Sequence, residues 1–268
     1  MPYWTDKTAL VTGGSAGLGL AIARALVGAG AKVTIAARDE GRLAAAAQSA
    51  SAAGRTCRAI AADVTRQADC ERLVSQTIAD CGQLDLLVNC AGRSARGKIA
   101  ATTADQFAEL LDVNFLSAVN ATQAALPHLL ASRGHLVFIG SLASKAASRY
   151  LGAYPASKFP LAAYAQQLRL ELGAQGLHTL LVCPGPIRRD DAGQRYDEAA
   201  ASLPPEARRP GGGVKLKGID PDWLAGRILR SCERRMPELV VPARARLLFA
   251  ISQLWPSLGD WIVTRMTK

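Results

Sequence analysis

Short apolar runs alternate along this chain with longer Ala/Leu-rich segments whose apolar residues recur at helical spacing. The runs at 8–12, 32–37, 58–62, 84–89, 134–140, 178–183 and 239–241 predict strands. The segments at 18–30, 40–53, 67–81, 103–130, 153–174 and 220–235 predict helices, the fourth with a break near Asn114. Strand–helix alternation of this kind builds a parallel sheet covered by helices on both faces. Right-handed crossovers make that sheet doubly wound, with ligands expected beyond the carboxyl ends of its strands. No linker or internal repeat divides residues 1–242, so one domain is expected there, followed by an extension at 243–268. The irregular stretch within 186–218 carries prolines, a glycine triplet and many charges, and reads as a functional loop.

The extension is apolar and amphipathic, with Trp255 and Trp261 on an apolar surface flanked by Arg244, Arg246, Arg265 and Lys268. Pro256 and Asp260 are incompatible with a simple membrane span. Such a segment can lie in a membrane interface, cover a substrate cleft or pack against another subunit.

The net charge of +10 has no basic block, so nucleic acid is not expected as a partner. The positive charge is densest after Arg188, which fits an anionic cofactor, an acidic carrier, a membrane surface or a plain solvated face. The six cysteines form no C-x-x-C pair, and His128, His135 and His178 are too scattered to suggest a zinc site. Free thiols, no resident metal and a cytoplasmic setting, with peripheral membrane contact open, are the expectation. The N-terminus has no apolar signal core.

Three features carry chemistry. The first strand runs into Gly13-Gly14-Ser15-Ala16-Gly17-Leu18-Gly19, a glycine-rich turn ahead of a helix. Glycines admit a pyrophosphate to the backbone, and a helix N-terminus offers free N–H groups. The second strand ends in Ala37-Arg38, with no carboxylate at the place where NAD's ribose hydroxyls are bound. A guanidinium there pairs with a 2′-phosphate, so Arg38, with Ser15 as a second donor, favours NADP(H) over NAD(H). Finally, Tyr154 and Lys158 stand one helical turn apart. A cation beside a phenol lowers its pKa and suits it to proton transfer.

With these motifs in this order the chain resembles the short-chain dehydrogenase/reductase family from residue 8 to about 185. Besides the glycine turn, the resemblance rests on Asp63-Val64 after the third strand and Asn89-Cys90-Ala91-Gly92 after the fourth. It continues with Asn114 in a helix, Ser141 at the end of the fifth strand, Tyr154-x-x-x-Lys158, and Pro184-Gly185 ending the sixth. The resemblance implies a three-layer Rossmann-type sheet of about seven strands and hydride transfer between a nicotinamide and a carbonyl or alcohol carbon. It implies Asn114, Ser141, Tyr154 and Lys158 as the catalytic set. It also implies cofactor contacts from Gly13, Ser15, Gly17, Leu18, Gly19, Asp63, Val64, Asn89, Ala91, Gly92, Pro184, Gly185 and Ile187, besides the catalytic pair. Family members are usually homodimers or homotetramers. Cys90 and the length beyond the sixth strand resemble lipid- or steroid-acting reductases, including 3-ketosphinganine reductases.

The expected function is therefore NADP-dependent reduction of a ketone on an apolar or lipid-like small molecule. The alternatives are a 3-ketoacyl-carrier-protein reductase and a catalytically silent NADP-binding regulator or scaffold. Two departures from the family pattern stand out. Where a threonine often follows Pro-Gly, this chain has Arg188-Arg189, which either reach the pyrophosphate or anchor the substrate loop. Pro160 lies inside the helix carrying the catalytic pair and is expected to kink it near Ala156.

Overall fold

In the computed structural model the described residues are 2–51, 54–189 and 216–267, with 196, 200–201, 203–208 and 213 between them. Seven strands form one parallel sheet: β1 (Thr8–Thr12), β2 (Lys32–Ala37), β3 (Cys57–Ala61), β4 (Leu86–Asn89), β5 (His135–Ile139), β6 (His178–Pro184) and β7 (Glu238–Val241). Their order is β3-β2-β1-β4-β5-β6-β7. Ten helices are described: α1 (Gly17–Gly28), α2 (Glu40–Ala50), α3 (Gln67–Cys81), α4 (Ala104–Leu111), α5 (Ser117–Ala131), α6 (Tyr154–Leu172), α7 (Pro205–Arg208), α8 (Pro221–Glu233), α9 (Ala245–Leu254) and α10 (Pro256–Met266). The apolar runs that predicted strands are buried throughout in β1, β4, β5 and β6, as central strands of a sheet covered on both faces require.

Two apolar layers sandwich the sheet. One joins α1, α2 and α8 to it through Ile22, Leu26, Leu43, Leu224 and Ile228. The other joins α3, α5, α6 and α9 through Leu73, Leu129, Leu161 and Phe249. Strand direction places the carboxyl ends of β1 and β4 side by side, Thr12 opposite Asn89, and so opens a crevice where the order reverses.

Local chemistry sets several boundaries. Asp39 caps α2 by accepting the Arg42 N–H at 2.9 Å. Thr103 and Gln106 form a reciprocal capping box at α4. The predicted break near Asn114 is a π-helical turn, Asp112–Leu116, between α4 and α5. The predicted strand at 84–89 begins only at Leu86, because Asp85 holds β1 by its side chain, accepting the Thr8 N–H at 2.8 Å.

Three expectations can be set against these elements. Pro160 lies inside α6, which is continuous from Tyr154 to Leu172 with Pro155 in its first turn. The histidines are not all scattered: His135 and His178 are register partners on β5 and β6, with their Nδ1 atoms 2.8 Å apart. Cys232 Sγ lies within 4.8 Å of that pair, but all four histidine ring nitrogens are already engaged in hydrogen bonds. Part of the 186–218 segment lies outside the described residues. Within it, Ile187 bridges to Ile219 and a short apolar cluster of Ala200, Leu203 and Ala207 packs against Tyr150.

Candidate active site

The crevice is built on hydrogen bonds from Thr12. Its hydroxyl donates to the Val88 carbonyl at 3.4 Å and accepts the N–H groups of Cys90 and Ala91 at 3.1 and 3.3 Å. The loops after β1 and β4 are thereby fixed to each other, a role that the glycine spacing alone does not reveal. Gly13 has φ +67°, and a Cβ there would lie 2.8 Å from the Ala91 nitrogen. A Cβ at Gly19 would collide with the Gly13 carbonyl, so turn and helix pack closely. Helix α1 starts after Ala16 with no side-chain cap and no acidic residue in its first turn. Its leading N–H groups therefore face the crevice without a side-chain acceptor, which fits an anionic pyrophosphate. Leu18 is buried in the core, so it can meet a cofactor only through its backbone, while Ser15 is half-buried in the turn.

The flanks of the crevice sort the remaining cofactor residues. Arg38, at the end of β2, is exposed and makes no hydrogen bond or ion pair with any described residue. Asp39 is turned into its cap on α2. Asp63 accepts both the Thr65 N–H and hydroxyl on Oδ1, at 3.1 and 2.8 Å, so it does hold the turn before α3. The Val64 side chain packs against the core, and its carbonyl accepts from Asn120 at 3.3 Å. Asn89 ties β4 to Thr122 on α5 at 3.2 Å, and its Oδ1 is buried without a partner. Pro184 ends β6, and the Gly185 N–H donates to the Val241 carbonyl at 2.7 Å. The Ile187–Ile219 bridge uses the Pro186 carbonyl and the Arg188 N–H, leaving the Ile187 N–H outside it.

The two adjacent arginines part company. Arg188 pairs with Asp220, the N-cap of α8, and so anchors the loop. The Arg189 guanidinium instead lies over the glycine turn, 3.7 Å from where a Cβ of Gly17 would stand. Burial pushes the Cys90 thiol up to about 11, with the Lys158 and Arg189 charges opposing it.

Asn114 and Lys158 meet at Gly92, and Tyr154, one turn before Lys158 on α6, bonds Ser141. A Cβ on Gly92, which has φ +156°, would stand 2.6 Å from Asn114 Oδ1 and 3.3 Å from Lys158 Nζ. The Asn114 side chain accepts the Arg93 N–H at 2.8 Å and donates to the Arg93 carbonyl and to Ser157 Oγ at 2.9 and 2.8 Å. It thus pins the chain just after Gly92 onto α6. Lys158 is buried and donates to the Ile139 carbonyl at 3.0 Å. Burial lowers its pKa to about 8, with Cys90 and Cys183 opposing the shift. Ser141 caps the turn Leu142–Ser144, accepting the Ala143 N–H at 3.1 Å, and its hydroxyl also bonds the Tyr154 phenol.

The electrostatics of Tyr154 differ from the sequence expectation. Burial raises its pKa, and the groups that pull it down are the Ser141 hydroxyl and the Arg96 guanidinium rather than Lys158. Arg96 is a residue the sequence reading did not single out. It is buried, donates to the Ala207 and Ala95 carbonyls at 2.8 Å each, and stacks 4.0 Å from the Tyr196 ring. Tyr196 in turn bonds Ser94. The one signal for this group was the place of Tyr196 in the irregular 186–218 stretch, read as a functional loop.

Comparison with known proteins agrees with this geometry. The family profile described as short chain dehydrogenase matches residues 7–200. The chain is similar to a dehydrogenase/reductase SDR family protein 7-like of Drosophila melanogaster, 30% identical over 97% of this chain and 80% of that one. It is likewise similar to the ketoacyl reductase HetN of Nostoc sp., 31% identical over 98% of this chain and 90% of that one. Among solved structures, a blue fluorescent protein from a metagenomic library in complex with NADPH superposes with a TM-score of 0.73. It is 31% identical and covers 88% of this chain and 96% of that one.

Proposed function

This chain belongs to the short-chain dehydrogenase family of nicotinamide-dependent oxidoreductases acting on CH–OH and carbonyl groups, and from that membership we propose that it is an NADP-dependent ketone reductase for apolar or lipid-like substrates. The observation that carries the reaction is the Ser141–Tyr154 hydrogen bond one helical turn from Lys158, which meets Asn114 at Gly92, together with a glycine cradle that a Cβ would fill. The free Arg38, with Asp39 committed to its helix cap, supports NADP over NAD. The NADPH-bound neighbour agrees with that choice.

When bound, the nicotinamide supplies the hydride. Tyr154 donates its proton to the substrate oxygen as negative charge grows there. Ser141 hydrogen-bonds the same oxygen, so stabilisation is aimed at charge that exists fully only in the transition state. Lys158, held by the Ile139 carbonyl, keeps a positive charge beneath Gly92 where the nicotinamide ribose would lie. Asn114 fixes the Gly92–Arg93 backbone and Ser157 relative to Lys158. The Ile187 N–H is free to meet the carboxamide, and Asp63 Oδ2 the adenine edge.

A substrate screen tests this reading. Wild type and Tyr154→Phe are assayed with NADPH against ketones, 3-ketoacyl thioesters and 3-ketosphinganine. Turnover of a hydrophobic ketone by wild type, its near-complete loss in Tyr154→Phe and retained NADPH binding are expected. Equal rates in both proteins would remove Tyr154 from the role of acid. Preference for the thioester would favour the ketoacyl reductase reading, which the likeness to HetN supports. Cofactor binding without turnover of any substrate would favour a silent regulator.

A further inference from the structure

We propose that the α9–α10 hairpin is a docking face for an anionic lipid surface. The hairpin is folded and anchored. Ala245 and Phe249 enter the core layer beneath the sheet, and Gly259 abuts Ser252 so closely that a Cβ would sit 2.7 Å from the Ser252 Cα. Its outer face is nevertheless apolar: Leu247, Leu254, Trp255, Leu258 and Trp261 are 67, 68, 62, 46 and 56% exposed. Leu247 and Leu254 are two turns apart on α9, and Trp255, Leu258 and Trp261 continue the stripe into α10 at helical spacing. Large apolar side chains on a well-packed element, left outside the core in a continuous row, mark an interaction surface.

Charge selects the occupant. The extension carries Arg244, Arg246, Arg265 and Lys268 against the single acid Asp260. The Arg265 guanidinium lies 5.0 Å over the Trp261 ring, an indole–cation pair suited to the boundary between headgroups and acyl chains. Pairing this face with a second copy of itself would oppose like charges, whereas anionic headgroups neutralise them. No helix among the described residues is long and apolar enough to cross a bilayer, so the hairpin lies in the interface plane. A pocket of about 350 Å³ separates Arg246, Phe249, Ala250 and Gln253 of α9 from the ion pair of Lys145 and Glu238.

Sedimentation of the full-length protein with vesicles tests the proposal, comparing phosphatidylcholine mixed with phosphatidylserine against phosphatidylcholine alone. Binding to the mixed vesicles that weakens with added salt is expected. Trp255→Ser with Trp261→Ser should lower the vesicle partition coefficient about tenfold or more, because these side chains supply the inserted apolar area. Both positions are exposed, so NADPH binding and melting temperature should be retained, which separates lost docking from lost folding. Vesicle binding unchanged in the double variant would overturn the proposal. So would a wild type that ignores anionic vesicles while the two substitutions convert a dimer to a monomer in light scattering, since the face would then join two copies.

Discussion

The Lys158 ammonium is 5% exposed and has the Ile139 carbonyl, at 3.0 Å, as its acceptor. Burial depresses its pKa from 10.5 to about 8. Below about pH 8 both the folded and the unfolded chain carry the proton, and the folded state bears the full desolvation cost. Between that value and 10.5 the unfolded chain holds a proton that the folded one has shed, so stability rises with pH across this window. Wild type should therefore gain about 2 kcal/mol relative to Lys158→Met between roughly pH 7.5 and 9.5 in paired urea titrations. Parallel curves for the two proteins would refute a depressed lysine. Activity should move the other way: kcat/KM for reduction falls as pH rises through about 8, where the charge of Lys158 is lost. A second residue-scale expectation concerns the two arginines after Pro184-Gly185. Arg189→Ala should weaken NADPH binding about tenfold or more, measured by calorimetry, because a charge-assisted contact at the pyrophosphate is removed. Arg188→Ala should leave that affinity nearly unchanged, since Arg188 is spent on Asp220. The sequence located the pair but left their roles open, because neighbouring residues on an irregular loop have no periodicity to say which way each one points.

Elements were legible where one physical requirement dominated. The continuous apolar run of β1 has no reading other than a strand buried on both faces, and its bounds match the prediction. The break at Asn114 was also legible, but not its form as a π turn. That turn aims Asn114 at Arg93 and Ser157, contacts that come from the β4 loop and α6 rather than from its own helix. Pro160 sits inside α6, whose run from Tyr154 to Leu172 is unbroken and packed through Leu161, Ala165 and Leu168, contacts that the helix sequence alone does not name. The extension shows the limit most clearly. Its amphipathic pattern and Pro256 were visible, yet the hairpin depends on one glycine whose partner is on the other helix. Gly259→Ala should place a methyl against the Ser252 backbone and cost about 1–3 kcal/mol, as overpacking a close contact does. Hydrogen exchange should confine the lost protection to α9 and α10. An unchanged exchange pattern would show that the two helices can separate without strain.

On the scale of the whole molecule, the doubly wound sheet was readable from alternation alone, and the crevice from the rule that ligands gather at the carboxyl ends of the strands. What periodicity does not encode is which chain segments meet at the opposite ends of those strands. There the N-terminal residues close over the sheet: Trp4 donates to Glu233 at 2.8 Å, and Tyr3 meets His135 at 2.6 Å. The proton positions along this chain of contacts follow from its far end. The Met236 carbonyl can only accept, so His178 carries its proton on Nε2 and leaves Nδ1 bare. His135 must then donate from Nδ1, and its bare Nε2 accepts the Tyr3 hydroxyl. A proton added to His178 would set N–H against N–H at the ring–ring contact, while one added to His135 Nε2 would force the Tyr3 hydroxyl to turn from donor to acceptor. Burial, reinforced by the Arg235 and Lys7 charges at His135 and the Arg235 and Arg169 charges at His178, lowers the two pKa values to about 3 and about 4. Both groups lie below the unfolded value of 6.5, so their contribution to stability is complete above that pH and is lost as pH falls towards the folded values. By pH 5 the loss should reach roughly 2 kcal/mol for each histidine, read from urea midpoints at successive pH values. A His135→Asn/His178→Asn variant should be less stable at neutral pH but show a flatter acid limb. An equally steep limb in that variant would move the cause of acid unfolding to carboxylates elsewhere and leave the histidine pair as packing only.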